Sequence, residues 1–390
     1  MTNKLSPKKK NPKSLQEEAL LLHAEKRGKI EVISKLSVKN KRDLSLVYTP
    51  GVGAVSLAIA KDKKKRDLYT IRKNTVAVIS DGSAVLGLGN IGPDAAMPVM
   101  EGKAVLFKNL ANIDAFPIVL ASQDPDEIIA TVKNLAPTFG GINLEDIAAP
   151  QCFAIEKALQ KALTIPVMHD DQHGTAMVVL AGLYNALKVT GKNLAKVRIV
   201  MSGAGAAGQA IAHLLFLAGA RNILLADSQG VIGHARKDLT VSKKALLKFT
   251  NLSHFKGSLR EALVGADVFI GVSQPGLITS EDVRKMAPKA IVFALANPVP
   301  EITPDQALAG GALVVATGRS DYPNQINNAL GFPGIFRGAL DNNVTEITDV
   351  MLVRAAKNLA AVVKKPTAGN IVPGVFDKAV VPAVARAIRK

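Results

Sequence analysis

Apolar residues along this chain fall into two kinds of pattern. In LQEEALLLHAEKRGKIEVISK, residues 15–35, they recur at helical spacing, which predicts a helix near the N-terminus. From about residue 75, short unbroken apolar runs punctuated by glycine take over. TVAVIS, FPIVLAS and IPVM read as strands, each followed by a helical segment. From 196 the alternation sharpens: KVRIVMS, NILLAD, ADVFIGV, AIVFALAN and ALVVATG are five more strand candidates, separated by helices or turns. Unbroken apolar runs suit strands covered on both faces, and strand–helix alternation predicts a parallel, doubly wound sheet. EITDVMLVRAAKNLAAVV and PAVARAIRK predict closing helices beyond 345. AMVVLAGLYNAL is 12 residues long and reads as a buried helix, and no apolar run reaches the ~18 residues of a membrane span.

Composition narrows the class. The 390 residues are enough for two or three domains, and 48% apolar with 21% charged residues is ordinary for a soluble enzyme. Cys152 is the one cysteine, so there is no intramolecular disulfide framework and a reducing compartment is expected. The N-terminus lacks the apolar core of a secretory signal, which makes cytoplasmic the expected location. The net charge is +17, and residues 1–42 hold twelve Lys or Arg against four Glu. KLSPKKKNPK offers almost nothing to bury, so residues 1–20 are expected to form a disordered basic tail. No zinc-finger spacing or aromatic RNA-binding signature accompanies that charge. Solubility or non-specific attraction is therefore expected, not specific nucleic-acid binding. The remaining excess suits an anionic substrate or cofactor.

The most interpretable stretch is KVRIVMSGAGAAGQAIAHLLFLAGARNILLAD. A strand runs into Gly203, Ala204, Gly205, Ala206, Ala207 and Gly208, and an apolar helix follows. In G-x-G-x-x-G spacing the first glycine permits a tight turn, the second lets the backbone approach a pyrophosphate, and the third lets helix and strand pack closely. The diphosphate would then sit at the positive end of the helix. The next strand ends at Asp227, 24 residues after Gly203, near the position expected for a ribose-binding acid. Its charge favours NAD over NADP, although Lys243 and Lys244 could reach over to counter it.

A second feature is less easily placed. In IPVMHDDQHGTA an apolar strand stops at two adjacent carboxylates, Asp170 and Asp171, flanked by His169 and His173. Adjacent buried charges need a cationic partner. Upstream, GINLEDIAAPQCF carries another pair, Glu145 and Asp146. Glu145, Asp146 and one of Asp170 or Asp171 would supply three oxygen ligands to Mg²⁺ or Mn²⁺. On spacing alone, helix-capping or salt-bridged acids explain them slightly better. The two histidines flank an apparent loop before the helix begins and read as orienting or structural residues. Cys152, with no paired base evident, reads as packing.

LVYTPGV, MEGKAVLFK, NLEDI, HDDQHGTA, GAGAAG, LANP and NQINNALGFPG occur in the order found in the malic enzyme family, and from about residue 25 onward the chain resembles its short bacterial type. The resemblance implies NAD(P)-dependent, metal-dependent oxidative decarboxylation of (S)-malate to pyruvate and CO₂. Tyr48 matches the general acid that protonates the enolate carbon, and Lys103 matches the general base on the substrate hydroxyl. Glu145, Asp146 and Asp171 match the metal ligands, with Mg²⁺ or Mn²⁺ implied, and Asp170 matches the residue supporting the lysine. Asn297 and Asn328 match amides on the substrate and nicotinamide sides.

One position departs from the pattern. Some members carry an arginine for a substrate carboxylate in the segment equivalent to DGSAVLGLGNIG, where this chain has Ala84. Ser83, backbone amides near Gly82, or Arg72 are the substitutes at hand.

The expected architecture is α/β: an N-terminal substrate and dimerisation domain over 21–165, a Rossmann-type doubly wound domain over 166–330, and C-terminal helices over 331–390 that pack back on the first domain. The resemblance also implies at least a homodimer, and malate as the small-molecule partner, with no membrane. Malolactic conversion of malate to lactate is the rival on the same scaffold. A basic nucleic-acid-binding protein on a Rossmann scaffold is the rival from another class, disfavoured because every candidate catalytic position is occupied.

Overall fold

Between residues 75 and 169 the glycine-punctuated runs become four parallel strands: β1 (Thr75–Ser80), β2 (Asp114–Val119), β3 (Gly141–Leu144) and β4 (Val167–His169). A computed structural model describes residues 14–390. The spatial order is β2-β1-β3-β4. β1 and β3 are buried along their whole length, as unbroken Val/Ile runs require when helices cover both faces. β3, from GINL, is a strand for which the sequence pattern predicts no element.

The second sheet holds β5 (Arg198–Ser202), β6 (Asn222–Asp227), β7 (Gly230–Val231), β8 (Val268–Gly271), β9 (Ala290–Ala294) and β10 (Ala312–Thr317). Its order is β10-β9-β8-β5-β6-β7, parallel except for the short β7. The chain thus crosses from β6 back over β5 to β8. In a parallel sheet that reversal opens a crevice at the strands' carboxyl ends, where ligands bind. The first sheet reverses in the same way about β1, with β2 on one side and β3 on the other.

The helix Asp170–Thr190 joins the two sheets and is buried over most of its length, AMVVLAGLYNAL included. It begins at Asp170, so His173 lies in its first turn and not in a loop. Two carboxylates at the positive end of a 21-residue helix explain the early start. The C-terminal helix Phe332–Asp341 meets the first sheet's helix Pro93–Ala111. Phe107 packs edge-on to Phe332 and Phe336, with ring centroids 4.7 and 5.5 Å away, and Arg337 donates to the Asn74 side chain at 2.8 Å. Such aromatic pairs add about 0.5–1.5 kcal/mol each beyond their buried area.

The N-terminal unit, ending at Gly53, is a separate compact body. A capping box of Ser14 and Glu17 starts its helix Leu15–Lys26, so the expected tail over 1–20 is helical from Leu15; residues 1–13 lie outside those described. None of the helices Leu15–Lys26, Lys41–Val47 and Gly51–Lys61 has a buried residue. By length and composition alone the stretch Lys41–Lys61, with mean hydropathy 1.4, would pass for a membrane span. It is interrupted at Tyr48–Pro50 and carries charge at both ends, so it is two helices, not one.

Candidate functional site

The four paired acids singled out in the sequence sit at the carboxyl ends of strands in the first sheet. Glu145 and Asp146 follow β3, and Asp170 and Asp171 follow β4. Lys103 comes from the helix Pro93–Ala111, on the buried stripe Ala96–Met100–Lys103–Ala104–Phe107. A lysine on such a stripe must find anions. Lys103 Nζ lies 2.5 Å from Glu145 Oε1 and 2.5 Å from Asp170 Oδ2, and 4.5 Å from the centre of the Phe332 ring.

The remaining acids gather beside this pair. One oxygen each of Glu145, Asp146 and Asp171 lies within 4.8 Å of the others. The Asp146 backbone amide donates to Asp171 Oδ2 at 2.9 Å, and the Leu86 amide donates to Asp146 Oδ1 at 3.3 Å. Asp146 holds a left-handed φ of 53°, a conformation that costs a non-glycine residue energy and aims its side chain. Its Oδ2 is buried without a protein partner.

Electrostatics point the same way. Burial, then Asp171, push the Asp146 carboxyl up to about 7. Glu145 is raised well above the ordinary value by burial, although Lys103 opposes this. Burial lowers the Lys103 amine, but Asp170, Glu145 and Asp171 outweigh it and raise the amine above its usual value. Four carboxylates therefore face one ammonium. The orphaned Asp146 oxygen and the clustered oxygens fit a divalent cation held by Glu145, Asp146 and Asp171, whose oxygen-only donor set suits Mg²⁺ or Mn²⁺.

Two residues that went unnoticed in the sequence hold this junction. Glu156 is buried on the helix Gln151–Ala162; it accepts from the His169 backbone amide at 2.8 Å and from Gln172 Nε2 at 3.2 Å, and lies 3.0 Å from His173 Nε2. The available signal was a glutamate on the otherwise apolar stripe Cys152–Ile155–Glu156–Leu159. Gly174 is the other: a Cβ there would lie 1.8 Å from Asp170 Oδ1. Cys152 is fully buried, and burial pushes its thiol up to about 12, which leaves it a packing residue.

The loop after β1 answers part of the question raised by Ala84. Ser83 Oγ donates its proton to Asp81 Oδ1 at 2.6 Å and accepts from the Ala148 amide at 2.8 Å. With its donor spent, Ser83 staples the loop and has no proton for a substrate carboxylate. Arg72 is also committed, to Asp67 at 2.6 Å and to the Pro137 carbonyl at 3.1 Å. Further along this loop Gly87 passes under Asn297: a Cβ at Gly87 would lie 1.8 Å from the Asn297 carbonyl oxygen. Asn297 is exposed on the loop after β9, and half-buried Asn328 opens a short helical turn that packs on the Asp170–Thr190 helix. Tyr48 belongs to the separate N-terminal unit, 67% exposed at the end of the helix Lys41–Val47.

A cleft of about 630 Å³ lies between the two sheets, lined by Pro150 and Phe153 from one side and Gly203, Gly205, Asp227 and Lys243 from the other. Gly203 has φ 105°, and a Cβ on Gly208 would lie 1.8 Å from the Gly203 carbonyl oxygen, so both glycines are forced by the protein itself. Gly205 is not: nothing lies within 4 Å of its missing Cβ. That open cradle at the start of the helix Ala206–Leu217 fits a dinucleotide's pyrophosphate. A larger groove of about 1010 Å³, near Leu106, Arg337 and Phe376, holds none of these residues.

The chain is similar to known proteins over nearly its whole length. The sequence profile described as "Malic enzyme, N-terminal domain" matches residues 27–160, and that described as "Malic enzyme, NAD binding domain" matches residues 172–390. The chain is 54% identical to the bifunctional malic/malolactic enzyme of Bacillus subtilis, over 97% of this chain and 93% of that one. It is 56% identical to the NAD-dependent malic enzyme of Geobacillus stearothermophilus, over 93% of this chain and 76% of that one. Its fold is similar to the crystal structure of an NAD-dependent malic enzyme from Thermotoga maritima, with TM-score 0.92 and 48% identity, covering 95% of this chain and 98% of the other.

Proposed function

This chain belongs to the malic enzyme family, and from that premise we infer how its residues divide the work. It catalyses the oxidative decarboxylation of malate to pyruvate and CO₂ with reduction of NAD or NADP. The observation that carries the assignment of roles is the double contact of Lys103, 2.5 Å from both Asp170 and Glu145, beside the remaining carboxylates.

Lys103 is the base that takes the C2 hydroxyl proton as hydride leaves for the nicotinamide. Asp170 orients the amine and offers a relay for its proton. A bound Mg²⁺ or Mn²⁺, held by Glu145, Asp146 and Asp171, would polarise the C2 oxygen and offset the negative field that keeps Lys103 protonated. Tyr48 protonates C3 after CO₂ departs. Asn297 and Asn328 contact substrate and nicotinamide. The Ser83 hydroxyl proton is engaged by Asp81, and the amides of Gly82, Ser83 and Ala84 donate to Ser80 Oγ, Asp81 Oδ1 and the Asp146 carbonyl, so none of these donors is free for the distal carboxylate.

The N-terminal unit supports a homodimer. Leu20, Val32, Leu36 and Leu46 are among many apolar side chains there that are at least half exposed, and helices with no buried residue need a covering surface. A lone buried thiol is compatible with a cytoplasmic location.

Steady-state rates with malate, Mn²⁺ and NAD⁺ or NADP⁺ supplied separately test the assignment. Reduced coenzyme and pyruvate should accumulate together. Lactate without net reduced coenzyme would establish malolactic conversion instead, an activity named for the Bacillus subtilis relative.

A further inference from the structure

Glu301 is a fully buried glutamate in the segment that follows β9, and the chemistry described above does not use it. A carboxylate in such a place must be met by donors. Its Oε1 accepts from the Ser273 amide at 2.8 Å, and its Oε2 accepts from the Ala296 amide at 3.1 Å. Burial raises the carboxyl above the ordinary glutamate value, and the Ser273 and Ala296 amides oppose that rise. The two amides belong to different loops: Ser273 follows β8 and Ala296 follows β9. The Leu295 amide still donates across to the Gly271 carbonyl at 2.9 Å. Past that point Glu301 spans the gap between the loops.

The residue types around this clamp are constrained. Only a carboxylate accepts through both oxygens, whereas a glutamine would turn an N–H toward one of the two amides. Gly271, the last residue of β8, makes room for it: a Cβ there would lie 2.4 Å from Glu301 Cδ. Both loops lead to the site. Ser273 and Gln274 line the dinucleotide cleft, and the Ser273 hydroxyl meets that of Ser202 at 2.7 Å, immediately before the GAGAAG turn. Ala296 immediately precedes Asn297, so the bond to Oε2 fixes the backbone from which that amide side chain projects.

We propose that Glu301 is a positioning residue for hydride transfer: its carboxylate sets the spacing of the loops after β8 and β9, and so aligns Asn297 and the Ser273–Gln274 wall with substrate and dinucleotide. This rests on the readings of Asn297 and of the dinucleotide cleft given above and goes beyond them. Glu301 touches no reactant. It acts on orientation, and a small error in orientation is costly to a hydride step.

Two measurements on the full chain with Mn²⁺ test this together: single-turnover hydride transfer from malate, followed as reduced nicotinamide, and calorimetric binding of ADP-ribose, which lacks the nicotinamide. Both are made well below each variant's melting temperature. Glu301→Gln keeps one acceptor; it should slow transfer by about 10–100-fold and leave ADP-ribose affinity within about threefold. Glu301→Ala should slow transfer further. Gly271→Ala, which keeps the glutamate but displaces its carboxyl, should reproduce the Glu301→Gln defect. Transfer at the unaltered rate in Glu301→Gln and Gly271→Ala overturns the assignment. Equal losses of transfer rate and ADP-ribose affinity also overturn it, because a general loosening of the domain gives that result. The underlying readings fail differently: full transfer in Asn297→Ala removes Asn297 from the site, and an unaltered chain that binds no ADP-ribose removes the dinucleotide cleft, in each case with this proposal.

Discussion

Gly174 and Asp170 are locked together within one turn of helix: no side chain can be added at Gly174 without striking Asp170 Oδ1, 1.8 Å from where the Cβ would stand. Asp170 is fully buried and holds Lys103 through its other oxygen. The glycine thus acts on the catalytic lysine at one remove.

Gly174→Ala is therefore expected to invert the usual rule that alanine favours a helix interior by about 1 kcal/mol. The variant should melt lower than the unaltered protein. Turnover should fall by on the order of 10²-fold, because a displaced Asp170 misorients the base. Thermal melts and kcat measured together check it; a stabilised, fully active variant would refute the contact.

The acids at the end of β4 should separate by their partners. Lys103→Ala should lower malate oxidation by on the order of 10²–10⁴-fold while dinucleotide binding persists. Asp170→Asn should mainly reduce kcat, by about 10–100-fold. Asp171→Asn should instead raise the Mn²⁺ concentration needed for half activity by at least about tenfold, and chelation should silence the unaltered enzyme reversibly. Mn²⁺ titration followed by electron paramagnetic resonance reads the metal step without turnover.

Glu156 has no contact with Lys103 in the set of bonds that define the site, yet it grips the backbone of His169 and the side chains of Gln172 and His173. Glu156→Ala should cost roughly 1–3 kcal/mol of stability by leaving buried donors unpaired. It should also weaken Mn²⁺ binding, since Asp170 and Asp171 begin the helix it tethers. Glu156→Gln, which keeps an acceptor oxygen, should recover part of both losses in chemical denaturation and metal titration.

Acid sensitivity should trace in part to Asp227, which Arg236 and Lys243 each meet at 2.6 Å. Its folded-state carboxyl lies below the ordinary value of 3.8, so its contribution to stability is present above that value and vanishes as pH falls through the folded one. The melting-temperature gap between the unaltered protein and Asp227→Asn should be constant from neutral pH to about 5, and close below about 4. A gap that widens in acid would contradict the pairing with Arg236 and Lys243.

Tyr48→Phe keeps the ring and removes only the hydroxyl. Oxaloacetate decarboxylation assayed on its own should slow at the protonation of C3, with malate affinity little changed. Full activity in the variant would remove Tyr48 from the mechanism.

Much of this was legible one residue at a time. The strands announced themselves because a segment buried on both faces has to be apolar throughout, whatever it packs against. The GAGAAG turn was legible because backbone geometry and close approach leave no side chain room at Gly203 and Gly208. The short strand Gly141–Leu144 was harder: four residues show no period, and only its pairing with β1 and β4 makes it a strand. The sequence predicts a loop where the Asp170–Thr190 helix has its first turn, since adjacent aspartates look like a turn until the helix dipole that stabilises them is in place.

The sequence by itself determined which residue types were on hand: acids in pairs, a lysine among apolar neighbours, glycines at dinucleotide spacing. Tertiary structure decided how their charges are spent. Ser83 and Arg72 are used up by Asp81 and Asp67, and Asp227 is claimed by two cations before any ribose arrives. Glu156 became visible only once its helix lay against β4. Charge acts through distance and burial, and a linear chain specifies neither until it has folded.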